Sequence, residues 1–111
     1  MDKVCTNCLK SREDVFQVFM GENFYACPGC TVNYAKDRTG FAFMLENEVT
    51  VKNGLMDIPF WTKCKDRVFI VKGIYIHEEC ESGRNIFLID KETGRPLKHM
   101  VDTNWLKLHV S

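Results

Sequence analysis

The sequence predicts a small, mostly β protein of the α+β class, built as two modules within 111 residues. Two observations lead to this expectation. Near the N-terminus, four cysteines are arranged as two pairs with the spacing of metal ligands. After residue 40, short apolar segments alternate with turn-forming residues, which is typical of consecutive antiparallel strands. We therefore predict a metal-binding module at 1–40 and a five-stranded module at 41–111.

Cys5, Cys8, Cys27 and Cys30 form two Cys-x-x-Cys pairs that are separated by 18 residues. A two-residue spacer lets both sulfurs turn towards one ion, and two such turns complete the tetrahedron that zinc prefers. No apolar secretion segment follows Met1, so metal ligation is favoured over disulfides, with disulfides and an iron–sulfur cluster as alternatives. We expect one structural Zn²⁺, because four thiolates leave no open coordination position for catalysis.

The local patterns around the cysteines predict a hairpin followed by a short helix. Residues 15–19 and 24–26 are rich in β-branched and aromatic side chains and are expected to pair as strands. Pro28 and Gly29 predict a tight turn inside the second cysteine pair. Residues 31–38 lack strand alternation, and Gly40 lies where a residue following a helix belongs, so this segment is predicted to be helical.

The order of knuckle, hairpin and cysteine pair at a helix start resembles a treble-clef zinc finger. A zinc ribbon, in which a strand follows the second knuckle, is the alternative. The resemblance covers about the first 40 residues, implies metal binding and says little about function. Four aromatic residues of this module are expected to pack around the site rather than to stack nucleic-acid bases: Phe16, Phe19, Phe24 and Tyr25.

The second module is predicted to contain five strands with a single helical turn before the last. The strands are expected within residues 41–51, 67–77, 86–90, 95–101 and 107–110. Gly73 lies inside the strongest strand signal and predicts a bulge or bend. Asp102 is the expected N-cap of the helical turn, and Trp105 is expected to cover the core.

This succession of strands and helical turn resembles a small SH3-like β-barrel, and the stretch from Lys72 to Leu108 is similar to small barrels of phage and bacterial proteins. It is also similar in outline to the KOW-type barrels of ribosomal and transcription-elongation proteins. The chain departs from KOW modules in lacking a basic first loop. The resemblance implies a small accessory or host-modulating factor of the phage type, with the transcription machinery as one possible target.

Composition indicates a folded domain, and its charge balance counts against a non-specific nucleic-acid binder. Hydrophobic residues make up 45% of the chain, and 15 basic residues balance 15 acidic ones. The balance holds in each module, with five residues of each sign in 1–40 and ten of each in 41–111. Nucleic-acid binders usually carry excess basic residues. No apolar run approaches the ~20 residues that span a bilayer, and a cytoplasmic location is expected, in the host if the protein is phage-encoded.

One irregular segment combines aromatic and basic side chains and is the candidate partner-binding surface. Its residues are Phe60, Trp61, Lys63, Lys65 and Arg67. Such a segment can stack bases or grip a protein, although its aromatic residues can equally cover a core. Three further residues, Cys64, His77 and Cys80, are expected to serve packing rather than a second metal site, because no fourth ligand is evident.

No catalytic motif is present, so we expect a protein that is not an enzyme. The function predicted from the sequence is a zinc-containing adaptor that binds another macromolecule, and its charge balance favours a protein partner. The alternative is an RNA- or DNA-binding module that uses the segment from Phe60 to Arg67. The oligomeric state and the partner's identity are left open by the sequence.

Overall fold

The computed structural model describes residues 3–19, 24–52, 64–97 and 100–109. Antiparallel strands dominate these residues, and the mostly β prediction is confirmed. In chain order the strands are β1 (Lys3–Val4), β2 (Ser11–Arg12), β3 (Phe16–Gln17), β4 (Tyr25–Ala26), β5 (Thr31–Val32), β6 (Tyr34–Lys36), β7 (Ala42–Met44), β8 (Glu48–Val51), β9 (Phe69–Ile76), β10 (Arg84–Asp90), β11 (Val101–Asp102) and β12 (Leu106–Leu108). A 3₁₀ turn at Thr103–Trp105 lies between β11 and β12.

A central antiparallel sheet has the strand order β11-β10-β9-β8-β12, so the last strand lies beside the first strand of this set. Short two-stranded sheets surround it, formed by β1 with β2, β3 with β4, and β6 with β7. The predicted five-stranded barrel is not closed, because no pairing within the described residues joins β11 to β12.

The predicted helix over residues 31–38 is wrong. Strand β5 pairs with β9, placing Thr31 opposite Tyr75 and Val32 opposite Ile74. Strand β6 pairs with β7, and Gly40 has a φ of 95° in the turn between them. Gly40 is therefore a turn residue and not a helix terminus. A strand after the second cysteine pair is the arrangement of the zinc-ribbon alternative.

One face of the central sheet carries the main core. Val71 and Ile74 of β9 and Leu88 of β10 belong to this core, and the register shift of the β9–β10 pair brings Val71 and Ile74 to the same face. Ala35 and Phe43 from the β6–β7 hairpin pack into the same core, and Trp105 covers its edge as predicted. The hairpin is thus anchored through its inner face to the second half of the chain.

The opposite face of the sheet packs against the cysteine-rich half. Tyr75, Phe87 and Ile89 form a second core cluster with Ala26, and Phe24 packs against it. The sheet is consequently buried on both faces in its middle, which explains the nearly continuous apolar sequence of β9 and β10.

The bulge predicted at Gly73 is confirmed. Gly73 pairs with Phe87, and the register shifts between Phe87 and Leu88. A Cβ atom on Gly73 would overlap the hydroxyl oxygen of Tyr75. The Tyr75 side chain therefore lies over Gly73, a close approach that only glycine allows.

The helical turn before the last strand is also confirmed. Asp102 caps it, since its carboxylate accepts a hydrogen bond from the backbone N–H of Asn104 at 2.9 Å. Among the residues that the structure describes, no helix has the length and apolar character needed to cross a membrane.

Candidate metal centre

The first cysteine pair lies in the turn between β1 and β2. The backbone N–H of Cys5 donates to the carbonyl oxygen of Lys10 at 3.0 Å, and the backbone N–H of Leu9 donates to the carbonyl oxygen of Cys5 at 2.8 Å. Leu9 adopts a φ of 64°, which closes the turn. These bonds fold the segment back on itself and place the sulfurs of Cys5 and Cys8 on the same side.

The predicted hairpin is present as β3 and β4, and it brings the second cysteine pair to the first. The backbone N–H of Thr6 donates to the carbonyl oxygen of Tyr25, and the Thr6 hydroxyl accepts from the Tyr25 N–H, both at 2.9 Å. The second knuckle is closed by the bond from the Cys30 N–H to the Cys27 carbonyl oxygen at 3.1 Å. The two knuckles are therefore fixed to each other by backbone contacts as well as by any shared ion.

The four cysteine sulfurs converge on one point. Their Sγ atoms all lie within 4.8 Å of one another, with 3.8 Å between Cys8 and Cys27 and 3.5 Å between Cys27 and Cys30. These separations exceed the ~2.0 Å of a disulfide, and none of the four is disulfide-bonded. A tetrahedral ion with Zn–S bonds of about 2.3 Å requires sulfurs about 3.8 Å apart. The cluster could therefore hold a metal ion, and its geometry and all-sulfur ligands fit zinc.

The environment of Cys5 favours its thiolate form. Burial acts to raise the pKa of the Cys5 thiol, but the backbone N–H groups of Cys8, Cys27 and Asn7 outweigh burial and lower the pKa to about 7. At Cys30, burial and the neighbouring cysteine sulfurs raise the pKa to about 12. Four thiols held this closely cannot all ionise without a cation between them, which is the charge balance that a divalent metal supplies.

Asn7 joins the candidate metal centre to the central sheet, a role that the sequence did not indicate. Its side-chain amide donates to the carbonyl oxygen of Ile76 at 2.6 Å, and the Ile76 N–H donates to the backbone carbonyl oxygen of Cys30 at 2.9 Å. Strand β9 thus contacts both knuckles. The signal in the sequence was only a polar residue between two cysteines, which carries no information on a partner 69 residues away.

The aromatic residues of the cysteine-rich half divide into two groups. Phe19 and Phe24 pack on Phe87 with ring centroids 6.5 and 4.7 Å away, in agreement with the packing role predicted for them. Phe16 is 45% exposed, and Tyr25 is half-buried with the Lys3 ammonium 4.9 Å from its ring centroid. Phe19 and Phe24 therefore belong to the interface with the sheet, whereas Phe16 does not.

The candidate partner-binding segment is only partly described. Phe60, Trp61 and Lys63 lie outside the described residues. Lys65 is exposed, and the Nε atom of Arg67 donates to a carboxylate oxygen of Asp90 at 2.5 Å. Asp90 also accepts from the backbone of the following turn, so Arg67 supports that turn.

The remaining cysteines are placed apart from the four-cysteine cluster. Cys64 is buried in the main core, and Cys80 lies half-buried in the β9–β10 connection, which also contains His77. Burial first, and the charges of Asp102 and Glu79 next, raise the pKa of the Cys80 thiol. Within the described ranges, the four-cysteine cluster is the group of potential ligands close enough to share an ion.

A second feature was not indicated by the sequence, in which residues 31–38 were predicted to be helical and residues 41–51 to contain a strand. Tyr34 and Met44 are directly opposite on β6 and β7 and are 44% and 55% exposed. Phe41 at the hairpin end and Leu45 after β7 are 62% and 40% exposed. We call these four exposed residues of the hairpin and its ends the hairpin face; Tyr34 and Met44 are the two that share its outer side. The triplets 34–36 and 42–44 alternate in burial in the structure but show no apolar–polar alternation in the sequence.

No protein-family model, curated protein or solved structure matches this chain.

Proposed function

We propose that the protein is a zinc-stabilised, non-enzymatic adaptor that binds a partner protein through the hairpin face. The observation that carries this proposal is the exposure of Tyr34 and Met44 on a hairpin whose inner residue, Phe43, is fully buried. Contiguous groups of large apolar side chains are rare on protein surfaces, and where they occur they often mark interaction sites. A hairpin held by its core side presents them with little loss of conformational freedom on binding.

The role of the metal follows from its ligand set. Zinc bound by Cys5, Cys8, Cys27 and Cys30 keeps no coordination position for a substrate, so its contribution is to folding. A unit of about 40 residues buries too little apolar surface to fold alone, and metal ligation compensates for this. The adaptor surface and the metal therefore have separate roles in one fold.

Charge around the hairpin face supports a protein partner. Lys36 lies on the same hairpin with its ammonium 5.6 Å from the centroid of the Tyr34 ring. Arg38 is paired with Glu81, and Arg67 with Asp90. Since these two guanidinium groups are engaged within the protein, they are not free to pair with the phosphates of a nucleic-acid backbone.

Site-specific photo-crosslinking tests the proposal. Tyr34 is replaced by p-benzoylphenylalanine in the zinc-loaded chain, with replacement of Phe16 as the control, because the two aromatic residues are 44% and 45% exposed. We expect a discrete protein adduct from position 34 and none from position 16. The adduct should disappear with Met44→Glu and persist with Val4→Glu, which alters an equally apolar surface position that is 49% exposed.

Two outcomes would contradict a protein adaptor. One is a set of adducts that is the same from positions 34 and 16, which would show that the hairpin face has no selectivity. The other is a nuclease-sensitive adduct together with a gel shift of RNA or DNA whose affinity falls steeply with salt, the behaviour expected from counterion release. The second result would establish the nucleic-acid alternative instead.

A further inference from the structure

A cavity of about 350 Å³ lies at the end of the β6–β7 hairpin. We call it the hairpin-end cavity. Its walls come from three parts of the chain: the hairpin turn, Lys52 after β8, and the edge strand β12. The lining residues are Asp37, Thr39, Phe41, Lys52, Lys107 and Leu108. The cavity adjoins the hairpin face, since Phe41 belongs to both.

Asp37 makes the hairpin turn a rigid wall. One oxygen of its carboxylate accepts hydrogen bonds from the Thr39 N–H at 2.9 Å, the Thr39 hydroxyl at 2.7 Å and the Phe41 N–H at 3.0 Å. The backbone of Phe41 is therefore fixed while its ring stays 62% exposed. An exposed ring on a fixed backbone provides apolar contact area that requires little ordering when a ligand binds.

The cavity carries a positive charge that no acidic residue of the described part of the chain neutralises. The Lys52 ammonium donates to the other carboxylate oxygen of Asp37 at 3.1 Å, so these two charges compensate each other. Lys107 is exposed, and no ion pair links it to an acidic residue in the described part of the chain. A carboxylate placed against Phe41 and Leu108 would therefore meet an available cation.

The backbone of β12 offers hydrogen-bonding groups beside the cavity. The Lys52 N–H donates to the backbone carbonyl oxygen of Trp105, and the His109 N–H donates to the backbone carbonyl oxygen of Glu48. The peptide groups at 105 and 109 therefore point towards β8. Because successive residues of a strand alternate, the peptide groups of Leu108 point away from β8. No described strand pairs with that outer side of β12. Such an edge can accept an added extended strand.

We propose that the hairpin-end cavity and the β12 edge bind an extended segment of a partner protein in which an apolar residue adjoins an acidic one. The apolar side chain packs on Phe41 and Leu108, the carboxylate pairs with Lys107, and the segment's backbone bonds to the edge at Leu108. This inference rests on the proposed function and specifies the chemistry of the partner. Nucleic acid fits less well, because one uncompensated lysine neutralises few phosphates.

A second copy of this chain also fits the edge less well than an acidic peptide. Isologous pairing of two β12 strands would bring Lys107 towards the same residue of the other copy, and like charges placed close together are unfavourable. Charge complementarity therefore selects a partner that carries carboxylates. Self-association through β12 would appear as concentration-dependent dimerisation of the full chain.

The test uses three fluorescein-labelled, end-blocked peptides: Thr-Val-Leu-Asp-Val-Thr and its versions with Asn or Lys in place of Asp. Binding to the zinc-loaded full chain is followed by fluorescence polarisation. We expect the Asp peptide to bind at least tenfold more tightly than the Lys peptide. Lys107→Glu should reverse this order, whereas Lys10→Glu, the same charge change at an exposed lysine of the cysteine-rich half, should leave it unchanged.

The apolar contact is tested by a second pair of variants. Phe41→Ser should weaken binding of the Asp peptide at least fivefold, and Phe16→Ser, at a comparably exposed phenylalanine, should leave it unchanged. Equal binding of all three peptides, or an Asp preference that survives Lys107→Glu, would overturn the proposal. Concentration-dependent dimerisation abolished by Lys107→Glu would also overturn it, by assigning the edge to a second copy.

The two experiments distinguish failure of the acidic-peptide specificity from failure of the proposed adaptor function. A selective adduct from position 34 without discrimination among the peptides would leave the adaptor function standing and overturn the acidic-peptide specificity. Loss of both the adduct and the peptide discrimination would overturn both proposals. Binding of an unstructured dT₁₂ oligonucleotide in competition with the Asp peptide would assign the cavity to nucleic acid and overturn the inference.

Discussion

The side chain of Asn104 accepts a hydrogen bond from the backbone N–H of Arg38 at a distance of 2.8 Å. Asn104 is only 3% exposed and lies in the 3₁₀ turn before β12, whereas Arg38 lies in the turn between β6 and β7. The contact joins residues 66 positions apart. It fixes the β6–β7 hairpin, and with it the hairpin face, relative to the central sheet.

Removing the Asn104 acceptor should lower the stability of the whole fold. Asn104→Ala leaves the Arg38 N–H without its partner, and the expected loss is about 1–3 kcal/mol in the free energy of unfolding, measured by urea denaturation. Asn104→Asp retains an acceptor oxygen and should lose less. An Asn104→Ala variant as stable as the wild type would show that the Arg38 contact contributes nothing measurable.

Asp37 gives the hairpin turn a pH-dependent stability. Burial acts to raise its pKa, but hydrogen bonds from Thr39, Lys52 and Phe41 outweigh burial and lower the pKa from 3.8 to about 2. A carboxyl group with a lower pKa in the folded state stabilises the fold fully above its unfolded pKa. That contribution is lost as the pH falls from about 4 to about 2.

Asp37→Asn should therefore reduce the free energy of unfolding by about 2 kcal/mol at neutral pH, the magnitude of hydrogen bonds to a charged group. The difference between variant and wild type should shrink as the pH approaches 2. Asp14→Asn is the control, because its ion pair with Arg12 is 45–46% exposed and such pairs contribute ~0–1 kcal/mol. A gap between Asp37→Asn and wild type that does not change with pH would contradict this assignment.

Metal content should be one zinc equivalent per chain, and chelation should unfold the cysteine-rich half. Structural zinc sites contribute about 10–16 kcal/mol in small peptides, comparable to the entire stability of a domain. Substituting Cys8 by Ser should abolish binding and unfold residues 1–40, seen as loss of their dispersed amide resonances. Cys80→Ser should keep the zinc. A stoichiometry of two would contradict the single site, and it would not be explained by Cys64, His77 and Cys80, which form no group of potential ligands within the described residues.

The close approach of Tyr75 to Gly73 predicts a sensitive position in β9. Gly73→Ala places a methyl group against the Tyr75 side chain, and the expected destabilisation is about 1–3 kcal/mol, typical of overpacking. In a Tyr75→Leu background the same substitution should cost much less, because the obstructing phenol is gone. A double-mutant cycle by thermal unfolding measures the coupling, and a cycle with no coupling would exclude the predicted clash.

Local patterns were sufficient where a residue's role depends on its immediate neighbours in the chain. The four-cysteine cluster followed from ligand spacing, the bulge from a glycine inside an apolar strand, and the capped turn from Asp102. Residues 31–38 were assigned wrongly because β5 and β6 are two and three residues long. Such segments are too short for alternation to be recognised. Strand β5 pairs with the distant β9, and the β6–β7 hairpin packs into the core of the second half.

The sequence by itself therefore determined that this chain is mostly β and that four named cysteines can share one metal ion. Tertiary structure decided that β9 carries a core on each face, that Asn7 and Asn104 tie distant segments together, and that Tyr34, Phe41 and Met44 remain on the surface. The physical reason is range: ligand spacing and turn chemistry act over a few residues. Exposure and strand pairing depend on contacts between residues far apart in the chain.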